Sequence, residues 1–311
     1  VKMSEVTEAE YSQESEQTMG LSLLQSTINL ANKPNYFDIA SYLHRINYSG
    51  NVEKNKQTLI NLHQAHLFNI PFENLDIHLG EEIDLHPQAL YKKIVQQRRG
   101  GYCFELNELF TQLLLNLDFE VERLSARVFV KERITPRHHQ LLKVKFDGQA
   151  WLCDVGFGCR GFIQPIPLIY NKPFSQTSGI YRLLQHDSFG SILQRKLEKD
   201  SKWDNLYAFT PEVYLPLDFT SQNYVVSHSP GSIFVNLRFC TIAKPNGRIS
   251  LSAYNLKVLE NGHEKIFKIK NQSEYLQVLN NHFGIKLPAD INFIPAKYNE
   301  EPQPRFDIGP V

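Results

Sequence analysis

The sequence predicts an α+β chain of several compact units, with helices first, a small sheet or barrel next, and a mixed helix and strand unit last. Three observations carry that expectation. Apolar residues recur at helical spacing between Tyr36 and about Asp118, and β-branched, alternating runs take over after it. A length of 311 residues at 42% hydrophobic and 21% charged also supplies an ample core.

The elements follow in chain order. Residues 1–35 are rich in Glu, Ser, Gln and Thr, with few large hydrophobics outside Leu21 to Leu30, and are expected to form a loosely held extension. Then Phe37, Ile39, Tyr42, Leu43 and Ile46 make one helical face, Leu59, Leu62, Ala65 and Leu67 a second, and Leu90, Ile94 and Val95 a third. A further helix starts at or just before Phe104, because Leu106, Leu109, Phe110, Leu113, Leu114 and Leu117 keep the same spacing. These form a helical unit over 36–118. Strands are predicted at 121–131, 140–146, 150–155, 180–184, 192–197 and 205–209, giving a β unit over 119–210. Further strands at 233–243, 249–253 and 255–259, with a last helix at 274–283, give a mixed unit over 211–311.

Composition narrows the function. Basic and acidic residues balance at 33 each, which leaves no global electrostatic footprint for nucleic acid. Cys103, Cys153, Cys159 and Cys240 contain no CxxC pair, and a chain of this length needs no disulfide staples, so a reducing, cytoplasmic setting is expected. No stretch is apolar enough to span a membrane, the start has no signal-peptide layout, and no phosphate loop or dinucleotide fingerprint is present. His63 and His66 have a spacing that can bind metal, but no Cys or Glu cluster completes a set, so a solvated pair and no metal site are expected.

Chemistry concentrates at Arg99-Gly100-Gly101-Tyr102-Cys103-Phe104-Glu105-Leu106-Asn107, where a cysteine follows two glycines and opens an amphipathic helix. Unpaired N–H groups at a helix start stabilise negative charge on sulfur, although Glu105 in the first turn partly opposes this. A cysteine that simply packs as a small hydrophobe is the other reading of that position. A nucleophilic thiol needs an imidazole base, and the imidazole needs an orienting acceptor. Asp147-Gly148 between two alternating runs marks a two-residue hairpin turn, and its register opposes Val144 to Trp151 and Leu142 to Cys153. That register makes His139 and Asp154 diagonal neighbours on one face and sends His138 to the other. One added residue in the turn would exchange the two histidines.

Together, the run around Cys103, then His139 with Leu141, Leu142 and Val144, then Asp154-Val155-Gly156-Phe157-Gly158, resemble the catalytic signature of the arylamine N-acetyltransferases. Ile70-Pro71-Phe72-Glu73-Asn74-Leu75, Leu215-Pro216-Leu217-Asp218-Phe219 and Ser227-His228-Ser229-Pro230-Gly231-Ser232-Ile233-Phe234 resemble other segments of that family, in the same order. The resemblance implies an N-terminal helical bundle, a central β-barrel and a C-terminal α/β lid around a cysteine-protease-like Cys-His-Asp core. It implies Cys103 as acyl acceptor, His139 as base and Asp154 as orienter in ping-pong transfer from acetyl-CoA to an arylamine or hydrazine, with O-acetylation of N-hydroxyarylamines as a companion activity.

By the same resemblance Phe72 and Phe157 line the acceptor pocket, and Glu73 and Arg99 form a structural ion pair. Thr135, Gly156, Gly158, Ser227 and Ser232 contact CoA. Gly231 and Cys159 depart from the family pattern beside the CoA segment. Two other chemistries share such a triad: amide synthesis from a thioester carrier, and hydrolysis by a cysteine amidase or protease. No nucleic acid or membrane partner is expected, and the sequence leaves the oligomeric state open.

Overall fold

A computed structural model describes residues 36–130, 133–197 and 201–294. The extension expected over 1–35 and the end of the last unit lie outside the described residues. The chain divides into Val1–Asp38 and a compact unit from Ile39 onward, and only the latter is described below.

Its first part is helical. Helices α1 (Ile39–Arg45) and α2 (Lys56–Asn69) precede a two-residue strand, β1 (Phe72–Glu73). Short helices α3 (Leu75–Leu79) and α4 (Pro87–Leu90) follow, α4 running on into a π-helical segment at Tyr91–Gln96. Helix α5 (Cys103–Asn116) is buried from Cys103 to Thr111 and again at Leu113 and Leu114, so it is surrounded rather than laid on a surface. Its apolar spacing starts at the residue the sequence marked.

The middle of the chain forms one antiparallel eight-stranded sheet. Its strands are β2 (Glu120–Val130), β3 (Arg133–Phe146), β4 (Gln149–Cys153), β5 (Ile166–Pro167), β6 (Phe174–Gln176), β7 (Gly179–His186), β8 (Gly190–Lys196) and β9 (Asp204–Phe209), in the order β5-β4-β3-β2-β9-β8-β7-β6. Leu124, Leu141, Leu152, Tyr181, Leu193 and Tyr207 fill its interior. A side chain ties the two ends together: Gln176 Oε1 accepts from the N–H groups of Ile163 and Gln164, and its Nε2 donates to the Gln164 carbonyl. The sheet is therefore nearly closed. The β3–β4 hairpin turns on Asp147 and Gly148, both at positive φ (49° and 69°), as a two-residue turn of the favoured hand requires. Its pairs are Phe146 with Gln149, Val144 with Trp151 and Leu142 with Cys153, the register expected from the sequence.

The last part differs from expectation in three places. A helix, α6 (Asp218–His228), occupies a stretch where none was expected. The strand expected over 233–243 is divided, because Ser232 caps a helical turn, α7 (Ile233–Asn236), by accepting from Phe234 N–H, so strand β10 (Phe239–Lys244) starts late. Strands β11 (Gly247–Ser252) and β12 (Asn255–Glu260) match, but a further edge strand, β13 (His263–Lys268), is exposed at every residue and carries no alternation to read. Helix α8 (Gln272–Phe283) closes the unit between its Asn271 cap and Gly284 at φ 71°.

Strand β1 joins the helical part to this end of the chain. It pairs with β10 (Phe72 with Thr241, Glu73 with Cys240), giving a second sheet of order β1-β10-β11-β12-β13. On its other side Phe72 bridges Gly101, and Glu73 N–H donates to the Gly101 carbonyl at 2.9 Å. A Cβ at Gly100 would overlap the Pro71 carbonyl, so the glycine before Cys103 lets this loop lie directly against β1.

Candidate active site

Cys103 is the first residue of α5 and is 3% exposed. Its helix start is fixed from below by buried ions. Tyr102 N–H donates to Glu105 Oε2 (3.0 Å), and Glu105 Oε1 pairs with Lys93 Nζ at 2.6 Å. Lys93 also reaches Asp76 (2.6 Å), Asp76 pairs with Arg99 (2.5 Å), and Arg99 pairs with Glu73 (3.0 Å). The expected Glu73 and Arg99 pair is thus two members of a five-residue chain. Glu73 also accepts from Gly100 N–H (3.2 Å) and Leu75 N–H (2.6 Å), so the chain anchors the loop as well as the helix. Burial pushes the Glu105 carboxyl up to about 7 against the charge of Lys93. Burial would lower the Lys93 ammonium, but Glu105, Glu73 and Asp76 raise it, so Lys93 stays charged. The negative charge that Glu105 was expected to bring beside the sulfur is therefore balanced locally.

The structure brings His139 and Asp154 together. The hairpin ladder stops at Cys153, and Asp154 turns its Oδ2 to His139 Nε2 at 2.7 Å, with both side chains buried. Burial alone would lower the imidazole, but the charge and hydrogen bond of Asp154, with a smaller contribution from hydrogen bonding to Cys103, raise it to about 10. With Nε2 occupied, Nδ1 is the nitrogen left for the Cys103 sulfur. His138 takes no such place. Ala126 pairs with His139 and Arg127 with Arg137, so His138 is the extra residue of a β-bulge. Its carbonyl lies 3.8 Å from Cys103 Sγ, and its ring is half-buried, with burial and then Arg127 lowering its pKa.

Two residues that the sequence reading left without a role hold Asp154. Asn107, one helical turn after Cys103, donates to Asp154 Oδ1 (3.0 Å) and the Gln140 carbonyl (2.7 Å) and accepts from Val155 N–H (3.0 Å). His63 Nε2 accepts from Asp154 N–H (3.1 Å), while Nδ1 lies 3.0 Å from the Ile163 carbonyl. Burial pushes His63 down to about 4, so it is neutral with its proton on Nδ1, donating to that carbonyl. His66 Nδ1 is bonded to the Tyr42 hydroxyl at 2.7 Å. The expected solvated histidine pair is corrected: both rings are buried, His63 bonded through both nitrogens and His66 through Nδ1 alone. Among the described residues no group of three or more His, Cys, Asp or Glu side chains is placed to hold a metal ion, and no helix is long and apolar enough to cross a membrane.

A cavity of about 630 Å³ has Phe72, Asp154, Val155, Phe157 and Gly158 in its lining, residues that flank the Gly156 backbone lying against Cys103. Phe157 packs edge-on against His139 with ring centroids 5.1 Å apart, and Phe72 stacks on Phe239 at 5.8 Å. A Cβ at Gly156 would come within 2.7 Å of Cys103 Cα and of Asn107 Nδ2, so only glycine lets this loop close over the helix start. The expected CoA-contacting hydroxyls are placed elsewhere and engaged within the fold. Thr135 Oγ1 accepts from Val128 N–H (2.9 Å), Ser227 Oγ donates to the Asn223 carbonyl (2.8 Å), and Ser232 caps α7. Cys153 and Cys240 are buried, and burial pushes both thiols up; Cys159 is the exposed one.

A sequence model of the N-acetyltransferase family matches residues 56–292. The chain is 36% identical to the arylamine N-acetyltransferase of Escherichia coli over 225 residues, covering 71% of this chain and 79% of that protein. The chain belongs to the arylamine N-acetyltransferase family. It is accordingly an acyltransferase. Solved arylamine N-acetyltransferases share the fold: that of Mycobacterium tuberculosis superposes with a TM-score of 0.75 at 34% identity, over 80% of this chain and 94% of its own. The Mycobacterium marinum arylamine N-acetyltransferase in complex with CoA superposes with a TM-score of 0.74 at 31% identity, over 80% and 93%.

Proposed function

We propose that this chain transfers an acetyl group from acetyl-CoA to the nitrogen of arylamines or arylhydrazines through an acetyl-Cys103 intermediate. The observation that carries the reading is the His139 to Asp154 bond of 2.7 Å, made by a buried imidazole whose other hydrogen-bonding neighbour is Cys103. In this reading the helical part (36–118) supplies the nucleophile, the β part (119–210) supplies base and orienter, and 211–311 covers the site.

His139 takes the Cys103 proton, and Asp154 stabilises the resulting imidazolium and fixes its orientation. The sulfur attacks the thioester carbonyl; the bond from carbonyl carbon to CoA sulfur breaks, and the imidazolium returns its proton to the departing thiolate. The N–H groups of the first turn of α5 lack intrahelical acceptors and stabilise charge that develops there. In the second half-reaction the amine nitrogen attacks acetyl-Cys103, His139 removes the amine proton, and the cysteine leaves as the thiol. Phe72 and Phe157 offer flat apolar walls to the aromatic ring. CoA in the Mycobacterium marinum structure supports acetyl-CoA as the donor. Four unpaired thiols support a reducing, cytoplasmic setting.

Intact-mass analysis tests the reading. Acetyl-CoA alone should add one acetyl group to the protein and none to Cys103→Ser, and an arylamine should then remove it as the N-acetyl product. Acetylation of the Cys103→Ser protein, or loss of the group to water at the same rate without amine, would overturn it.

A further inference from the structure

Sheet ends expose unpaired backbone groups, and most ends in this fold are engaged. Gln176 ties the two ends of the large sheet together, and the Gly101 backbone lies against β1 at one end of the small sheet. At its other end the small sheet stops at β13, and among the described residues no strand pairs with the outer side of β13. All six of its residues are exposed, Ile266 at 60% and Phe267 at 50%. Edge strands are commonly blunted by a proline or a bulge. β13 has neither, and it keeps unbroken register with β12, from Glu260 with His263 to Asn255 with Lys268.

The turn that starts β13 decides which backbone groups are free. Asn261 and Gly262 stand at φ 50° and 79°, so Glu260 and His263 close a two-residue hairpin as a hydrogen-bonded pair. Bonding then alternates along the ladder. His263, Lys265 and Phe267 turn their N–H and C=O groups to β12, and the bond from Ile269 N–H to the Tyr254 carbonyl (2.7 Å) keeps the same phase. Glu264, Ile266 and Lys268 therefore turn theirs outward.

These three positions complement themselves. A second β13, set antiparallel about a two-fold axis at Ile266, pairs Ile266 with its own copy and Glu264 with the copy's Lys268, twice by symmetry. Every outward residue then exchanges backbone bonds, and each carboxylate faces an ammonium. On the other face Lys265 falls opposite the copy's Phe267, so its apolar stem meets a ring. Neighbouring registers fail. An axis at Lys265 opposes two lysines, and one at Phe267 sends Glu264 to Lys270, past the end of the strand. We propose that β13 is the contact through which two copies of this chain pair, joining their five-stranded sheets into one antiparallel sheet. A two-fold contact closes on itself and stops at two copies. Because one short strand per copy makes it, the dimer dissociates on dilution.

Sedimentation velocity across a dilution series of the full chain tests this. The wild type should pass from monomer to dimer as concentration rises. Glu264→Lys and Lys268→Glu should each weaken dimerisation by about tenfold or more, since each sets two like-charged pairs across the axis. The double exchange should restore it. Mixed together, the two single variants should pair with each other, because every Lys then meets a Glu. Glu264 also meets Lys257 at 3.2 Å within the chain, a contact the double exchange does not restore, so recovery reports pairing between copies. Ile266→Pro removes an outward donor at the axis, where an edge strand tolerates proline, and should leave a monomer. A wild type that is monomeric at every concentration, or a dimer unaffected by both single exchanges, would overturn the proposal. Slow amide exchange at Ile266 that is equal at every dilution would assign this edge to a segment of the same chain and also overturn it.

Discussion

Replacing Asp154 with Asn removes charge from the candidate site while keeping its shape. The amide retains an oxygen for the donors Asn107 Nδ2 and Gly156 N–H, but loses the carboxylate 2.7 Å from His139 Nε2. Burial alone would lower the imidazole; Asp154 outweighs it and raises His139 from 6.5 to about 10. At 1.36 kcal/mol per pKa unit, that rise corresponds to at most about 5 kcal/mol. The folded pKa lies above the unfolded one, so the stability it supplies is complete below about 6.5 and is lost as pH rises toward 10. Urea unfolding of the wild type should show stability falling between these limits by up to about 1.4 kcal/mol per pH unit from this group, and Asp154→Asn should lack that component. Acetylation of Cys103, followed by stopped reaction and intact mass, should slow by about 10³–10⁴-fold, because the imidazolium is no longer stabilised or oriented. Superposable stability curves for the two proteins, or an acylation rate within about threefold of wild type, would refute the argument.

Three further perturbations probe the supports of the site. His139→Ala should reduce Cys103 acetylation by about 10²–10⁴-fold while His138→Ala stays within about threefold, since only the His138 carbonyl approaches the sulfur; rapid-quench acylation rates decide between them. Gly156→Ala places a Cβ 2.7 Å from Cys103 Cα and Asn107 Nδ2, and thermal unfolding with acylation assays should show both stability and rate falling, with stability down by about 1–3 kcal/mol. Lys93→Met leaves Glu105 and Asp76 without their shared cation and should cost about 3–5 kcal/mol in urea unfolding. Because burial already holds the Glu105 carboxyl at about 7, above its unfolded value, its protonated form favours folding; the Lys93→Met deficit should therefore be smaller near pH 5 and grow as pH rises through 7.

What the sequence revealed and what it hid divide along one physical line. The Asp147-Gly148 turn fixed the β3–β4 register because two adjacent residues at positive φ decide it, and a strand keeps its alternation once started. The start of α5 was legible for the same reason: glycines, a thiol and a helical apolar period lie within one short segment. Helix α6 was missed because its pattern is broken, with Phe219 and Val226 buried while Tyr224 and Val225 are exposed, and Leu217 at its start makes no side-chain cap. Strand β13 was missed because an edge strand exposed on both faces has no hydrophobic period to display.

The site shows the same division at the level of single groups. His139 and Asp154 are joined by one hairpin, so counting residues from the turn was enough to pair them. The residues that hold them are not joined by any short path. His63 reaches Asp154 N–H from a helix 91 residues earlier, and Asp76, Lys93 and Glu105 meet across separate helices beside β1, which lies between the Cys103 loop and β10. A local pattern can therefore name groups whose chemistry depends on adjacency in one element. The buried partners that set their charge and orientation are fixed by packing between elements, where an uncapped histidine on a helix and a lysine in a basic run look, in sequence, like ordinary surface residues.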